Sequence, residues 1–197
     1  MHLRVSVLAV LVAAVWVTGA RAQEPRSVPG PWVFDLRGVM SGLPTSPEFF
    51  APVDPNTLVP QRGFGVEGGA HIYPVSWGPA RFGVGASVYR TRGSISGTAS
   101  VLTGVAPQFS ANFGTRDGWS YLSAGYGPVR AETTLAGDSE TLESSLSGIN
   151  LGGGARWFLS RHLATTFDLR FFLLGSDARS GTPGTTLFAA TAGFSVR

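Results

Sequence analysis

Cysteine is absent from the 197 residues, which removes disulfides, thiolate metal sites and lipid attachment through a cysteine. An oxidising compartment stays open to the chain; only one device used there is missing. Charged residues make up 14% of the sequence, and the formal charge of +3 comes from scattered basic residues rather than a cluster. Nucleic acid needs a concentrated basic face, so that partner class is excluded. After residue 22 no apolar run approaches the length of a transmembrane helix. No His, Cys or Asp cluster has metal-ligand spacing, and no cofactor is expected.

Glycine, in contrast, is abundant at 27 residues, and hydrophobic residues reach 43%. Glycine at that level without a collagen period suits closely packed β-structure. The first segment stands apart. Arg4 supplies a positive start, Val5–Val17 is apolar, and Ala20-Arg21-Ala22 forms an A-x-A cleavage pattern. That run is too short to span a bilayer, so residues 1–22 read as a signal peptide cleaved near Ala22-Gln23. Residues 23–30 read as a leader and 31–197 as one domain. An exported chain without apolar helices can cross a membrane only with strands.

The clearest pattern lies in Gly152–Phe172. Leu151, Gly153, Ala155, Trp157 and Leu159 form one alternating set, continued by Leu163, Thr165, Phe167, Leu169, Phe171 and Leu173. Asn150, Gly152, Gly154 and Arg156 form the other, continued by Thr166, Asp168 and Arg170. A period of two marks a strand with two unlike faces. Ser160-Arg161-His162 divides the arms. A three-residue connection sets Leu159 against Leu163 and Trp157 against Thr165, keeping one apolar face, whereas a two-residue turn would mix the faces.

The same alternation recurs over 32–42, 62–73, 81–91, 105–115, 119–132 and 186–196, giving eight strands with the two arms at 145–159 and 163–175. Within 119–132, Gly125-Tyr126-Gly127-Pro128 predicts a bulge or bend. Connections at 74–80, 116–118 and 160–162 are short; those at 43–61, 92–104, 133–144 and 176–185 are long. The first long loop carries Pro44, Pro47, Pro52, Pro55 and Pro60, with Phe49 and Phe50 placed for local packing or for the outer leaflet. Short turns on one side, long loops on the other and an even strand count are the pattern of an outer-membrane barrel. Sheet edges cannot lie open in lipid, so the eighth strand is expected to pair with the first. The predicted fold is all-β: an eight-stranded antiparallel up-and-down transmembrane β-barrel in the bacterial outer membrane. Its apolar set faces lipid and its polar set faces inward. A soluble barrel of lipocalin type would reverse the two faces.

Large aromatics gather beside the short turns and chain ends: Trp32, Phe34, Tyr73, Trp77, Phe82, Phe113, Trp119, Tyr121, Trp157 and Phe194. Amphipathic rings favour the headgroup level, so these predict a periplasmic girdle. Phe64, Tyr89, Phe109, Phe171 and Phe188 lie towards the long loops and predict a second one.

The segment Gly154–Arg170, GARWFLSRHLATTFDLR, resembles the penultimate hairpin of the small outer-membrane β-barrel superfamily, the OmpA/OmpX-like barrels. As a pattern the resemblance extends over about residues 31–197. It implies an eight-stranded barrel surrounded by outer-membrane lipid, with the barrel-assembly machinery as partner during biogenesis. In that family the last strand ends in an aromatic read by this machinery. Thr191–Val196 fits the start of the signal, and Arg197 stands where the aromatic is expected. The peptidoglycan-binding domain of larger relatives is not expected, and the barrel is expected to be a monomer.

The inward set contains Asp35, Arg37, Glu67, His71, Arg130, Glu132, Arg156, Asp168 and Arg170. An eight-stranded interior barely accommodates its own side chains, and buried charges there must pair. Register places small Gly154 opposite Asp168, which predicts a diagonal Arg156–Asp168 pair. The set is either a packed plug or a switchable ion-pair gate. Glu67 and His71 share a face but stand about 13 Å apart along the strand, too far for a catalytic hydrogen bond. His162 sits in a turn beside Ser160. Gly63–Gly68 matches G-x-G-x-x-G, but a dinucleotide site needs a helix to begin there and this segment continues as a strand. A non-enzymatic barrel with a polar, largely filled lumen and a structural or surface-interaction role is therefore the expectation. A narrow channel for ions or small apolar solutes is the alternative, and a lipid-modifying barrel enzyme the third reading.

Overall fold

The computed structural model describes residues 31–45, 58–114, 117–137, 141–176 and 183–197. The expected signal peptide and leader, Phe49, Phe50 and Arg116 lie outside them. Two strands carry the pattern just described, β6 (Thr141–Phe158) and β7 (Leu163–Leu174). They pair with Trp157 opposite Thr165, Gly154 opposite Asp168 and Gly152 opposite Arg170. The Leu159 N–H donates to the Leu163 carbonyl at 2.9 Å, closing a connection of three residues. The remaining strands are β1 (Trp32–Gly42), β2 (Arg62–Trp77), β3 (Ala80–Ile95), β4 (Thr98–Gly114), β5 (Gly118–Thr134) and β8 (Thr185–Val196). Each pairs antiparallel with its sequence neighbours, and β8 closes on β1 with Phe34 opposite Val196 and Ser41 opposite Ala189. Closure leaves no unpaired edge for lipid to meet.

Several connections differ from expectation. Most of 74–80 is strand; only Gly78-Pro79 turns. Pro74 has no N–H to give the ladder, and the register slips between Ile72 and Val75. Segment 92–104, expected as a long loop, is strand apart from Ser96-Gly97, and strand extends into 133–144 as far as Thr134 and again from Thr141. β3 and β4 meet at Ser96-Gly97, where both residues have positive φ, 49° and 85°. That is the conformation of a two-residue hairpin turn matched to strand twist. Of the bulge or bend expected at 125–128, no bulge forms: β5 keeps one register on each side of that segment against both β4 and β6, although its pairing with β4 lapses over Tyr126, Gly127 and Pro128.

Partner-to-partner steps from Trp32 pass Ile72, Val84, Phe109, Ala124, Leu151, Phe171 and Phe188. They return beside Gly42, ten residues along β1. With a rise of about 3.3 Å per residue and about 4.8 Å between strands, this offset tilts the strands by roughly 40°. Every residue from Trp32 to Phe188 on that path is apolar and faces outward. The same geometry spreads the outward apolar positions, from Trp157 and Phe113 up to Phe64 and Leu173, over about 25 Å of height, the span of an apolar transmembrane band. Asp168 and Arg170 are buried while Phe167 and Phe171 stand outside. Apolar outside and charged inside is the arrangement of a barrel that crosses lipid.

Narrowness shows in the inward glycines. A Cβ at Gly65 would overlap the Arg90 carbonyl oxygen of the neighbouring strand. Backbone cannot yield as a flexible side chain can. Gly65→Ala should therefore cost about 1–3 kcal/mol. It should also reduce the share of protein that keeps its folded mobility on an unheated denaturing gel.

Candidate functional site

Three layers fill the interior. At the short-turn end Val33, Tyr73 and Trp119 pack together with Phe158. At the long-loop end Leu102, Val129, Leu146, Phe172, Leu174 and Leu187 belong to a larger apolar layer. Between them lies a layer of charged and amide side chains. The lumen, expected to be polar and largely filled, thus gathers its charges in the middle, with neutral polar side chains such as Asn112 and Thr98 buried towards the two ends. Near the outer end of β7, Phe171-Phe172-Leu173-Leu174 is apolar on both faces, with Phe172 and Leu174 inward and Phe171 and Leu173 outward.

Asp35, Arg37, Glu67, His71, Arg156, Asp168 and Arg170 all lie inside, each at most 5% exposed. The expected diagonal pair does not form. Arg156 instead reaches across the barrel to Asp35 as a bidentate fork, Nη2 to Oδ2 at 2.7 Å and Nε to Oδ1 at 3.0 Å. A guanidinium on β6 can span a lumen this narrow, so the partner is chosen across the barrel rather than along the ladder. The Arg156 guanidinium also lies 4.1 Å over the Tyr121 ring, a cation–π contact. Ser195 donates its hydroxyl to Asp35 from β8.

Arg37 is the hub. It donates to Glu67 at 3.0 Å and to the Tyr121 hydroxyl at 2.7 Å, and stands 3.7 Å from Asp168 and 3.8 Å from Asp35. Arg170 grips Asp168 through two nitrogens at 3.0 and 3.2 Å, and donates to Asn150 at 2.7 Å and Ser123 at 3.0 Å. Gln108 donates to Asn150 and Ser87, and its carbonyl lies 3.1 Å from His71 Nε2. Three arginines face three carboxylates, so the layer balances its charge. Through these side chains it touches all eight strands. The alternation that set Asn150 on the inward face gave it no role, and in 105–115 the same alternation sets Gln108 inward. Their capacity to donate and accept at once was the available signal.

Tyr73, Trp119 and Tyr121, expected in the periplasmic girdle, point into the lumen. Nearness to a short turn sets a ring's height, whereas strand phase sets its direction. Tyr73 continues the inward alternation of Glu67 and His71 on β2, and Trp119 and Tyr121 share the inward phase of Ser123 on β5. Tyr89, expected in the outer girdle, is inward too, 4.8 Å from Phe172. Arg130, expected inside, is outside and exposed, ion-paired with Glu132 at 2.8 Å and with Glu143. Trp32, Trp77, Phe113, Trp157 and Phe194 lie on the outer surface. Phe82 sits between Trp77 and Phe109, with ring centroids 6.3 and 6.0 Å away, so Phe109 belongs below the outer rim.

Nothing in the layer resembles a hydrolytic set. His71 meets Gln108 and Glu67 meets Arg37, so the two face different partners. The Gly63–Gly68 motif lies within β2 and opens no helix. Among the described residues no three His, Cys, Asp or Glu side chains gather where they could hold a metal ion.

No family model matches the chain, and no curated protein matches it. Solved structures do. Neisserial surface protein A (NspA) aligns with 85% of this chain and 97% of its own, at a TM-score of 0.58 and 16% identity. Ail, the attachment invasion locus protein of Yersinia pestis, aligns with 84% of this chain and 95% of its own, at 0.53 and 10%. The outer membrane protein OprG from Pseudomonas aeruginosa aligns with 86% of this chain and 97% of its own, at 0.52 and 10%. The likeness is one of fold: this chain has the architecture of a small outer-membrane barrel.

Proposed function

We propose that the chain is a non-conducting protein of the bacterial outer membrane, a rigid barrel that serves a structural or surface-interaction role through its long-loop end. The observation that carries this reading is the apolar layer across the outer third of the lumen, with Leu102 wholly buried within it. The polar atoms at that level are few, the mutually bonded Ser41 and Thr91 hydroxyls and the Tyr89 hydroxyl, so ions crossing there would lose most of their hydration. A gate in the charged layer alone would not open a path, because rearranging Arg37 among its three carboxylates leaves the apolar layer in place. The likeness of fold to a protein titled an attachment invasion locus protein is compatible with a surface role. Lipid outside and charge inside support placement in a membrane, and short turns opposite longer connections support the orientation with 43–61 and 175–184 outward.

The test is a planar bilayer holding the purified, folded barrel. No unitary conductance should appear above the bare membrane at neutral pH and molar salt. Discrete channel openings would favour the narrow-channel reading instead. Folding itself is checked on the same sample by the difference in apparent size between unheated and boiled protein.

A further inference from the structure

We propose that the outer surface at the β1–β8 seam holds one acylated, phosphorylated glycolipid of the outer leaflet, its acyl chain in a shallow groove and its phosphate between Arg62 and Arg92. This rests on the outer-membrane reading above. The groove has a volume of about 360 Å³. Gly38, Ala190 and Ala192 form its floor, Phe167 bounds it towards the short turns, and Met40 and Phe64 flank its upper end. Small residues bring an acyl chain onto the backbone, and the bulky ones confine it laterally.

The charge above the groove selects the headgroup. Arg92 lies opposite Phe64, Arg90 opposite Val66, and Arg62 opposite Gly42, two residues beyond Phe64 on the same face. All three arginines are exposed. None has a hydrogen-bond or ion-pair partner among the described residues. Arg130, at a similar height on β5, is by contrast neutralised by Glu132 and Glu143. On β1, β2, β3 and β8 the only acidic residues, Asp35 and Glu67, both point inward. The outward face there is therefore purely cationic at the top of the lipid band. Forked guanidinium groups at the headgroup level, next to an apolar groove, match a phosphate carried on an acylated sugar.

Titration of a purified diphosphorylated, acylated glycolipid into the folded barrel in zwitterionic micelles tests the assignment. The wild type should take up one equivalent, at least about tenfold more tightly than the enzymatically dephosphorylated form or phosphatidylglycerol. R62Q/R92Q should lose that preference while its folded band on an unheated gel is unchanged. A Cβ at Gly38 meets nothing closer than the Ala192 carbonyl at 3.7 Å, so Gly38→Leu fills the groove without straining the barrel. It should weaken both glycolipid forms alike. Equal binding of phosphorylated and dephosphorylated lipid, equal binding of phosphatidylglycerol, or displacement by millimolar inorganic phosphate would each overturn the proposal. A wild-type barrel that fails to insert into vesicles at all would instead overturn the outer-membrane reading.

Discussion

Arg37→Met should lower stability by about 3–5 kcal/mol, read as an earlier urea midpoint for the barrel folded in phosphatidylcholine vesicles. Methionine nearly preserves the length of the side chain, so the loss comes from charge rather than volume. Glu67 has its hydrogen bond from Arg37 alone, at 3.0 Å, and would be left charged in a sealed layer. Asp168 and Asp35 would lose a weaker neighbour each, and the Tyr121 hydroxyl a donor. Restoring neutrality should recover part of the loss, so Arg37→Met with Glu67→Gln is expected to be more stable than Arg37→Met alone. If the single variant unfolds with the wild type, the layer contributes no net stability and merely fills space.

Arginine in place of Leu151 should cost about 2–4 kcal/mol, and in place of Leu163 no more than about 1 kcal/mol. Both leucines face outward on neighbouring strands of one hairpin. Leu151 stands near mid-height of the apolar band, whereas Leu163 stands beside the turn, where a guanidinium can reach water or headgroups. The same unfolding titration measures both. Equal costs at the two sites would mean that the band is misplaced along the barrel axis.

The hairpin at 160–162 was readable to the residue because its two faces differ strongly and only one loop length keeps them apart. Outside the lipid that contrast disappears. Along Arg90–Ser94 the outward positions are basic or polar, and along Thr98–Thr103 outward Ala99 and Val101 face away from inward Thr98 and Ser100, so alternation no longer announces a strand, yet backbone hydrogen bonding continues to the turn at Ser96-Gly97. Hydrophobic period reports the environment of a strand, not its end. The same limit hid the outer apolar layer. Phe171-Phe172-Leu173-Leu174 is apolar on both faces, and a local loss of alternation within a strong strand was the trace it left.

The charged layer was legible as a set but not as a wiring diagram. Alternation placed Arg156 and Asp168 on one face, and ladder register made them diagonal neighbours. Asp168 takes Arg170, two residues along the same face of β7, whereas Arg156 takes Asp35, a partner set by how far its side chain reaches across a closed cylinder. That distance exists only once all eight strands are in place, so no pairwise reading of strands contains it. Girdle assignment failed for a different reason. Tyr73 keeps the inward parity of Glu67 and His71 on its own strand, so alternation rather than nearness to the turn decided the side its ring occupies.

Asp35 lies on the first strand to be made, Ser195 on the last, and the two meet inside the wall. Until the final strand arrives, the ring is an open ribbon and Asp35 lacks its Ser195 partner; the arginine on its own strand stays 3.8 Å off. The late-arriving β8 therefore acts as an electrostatic latch. Shutting the cylinder satisfies the carboxylate and buries it in one event, so half-shut species hold their penalty until the end, and completion becomes hard to reverse.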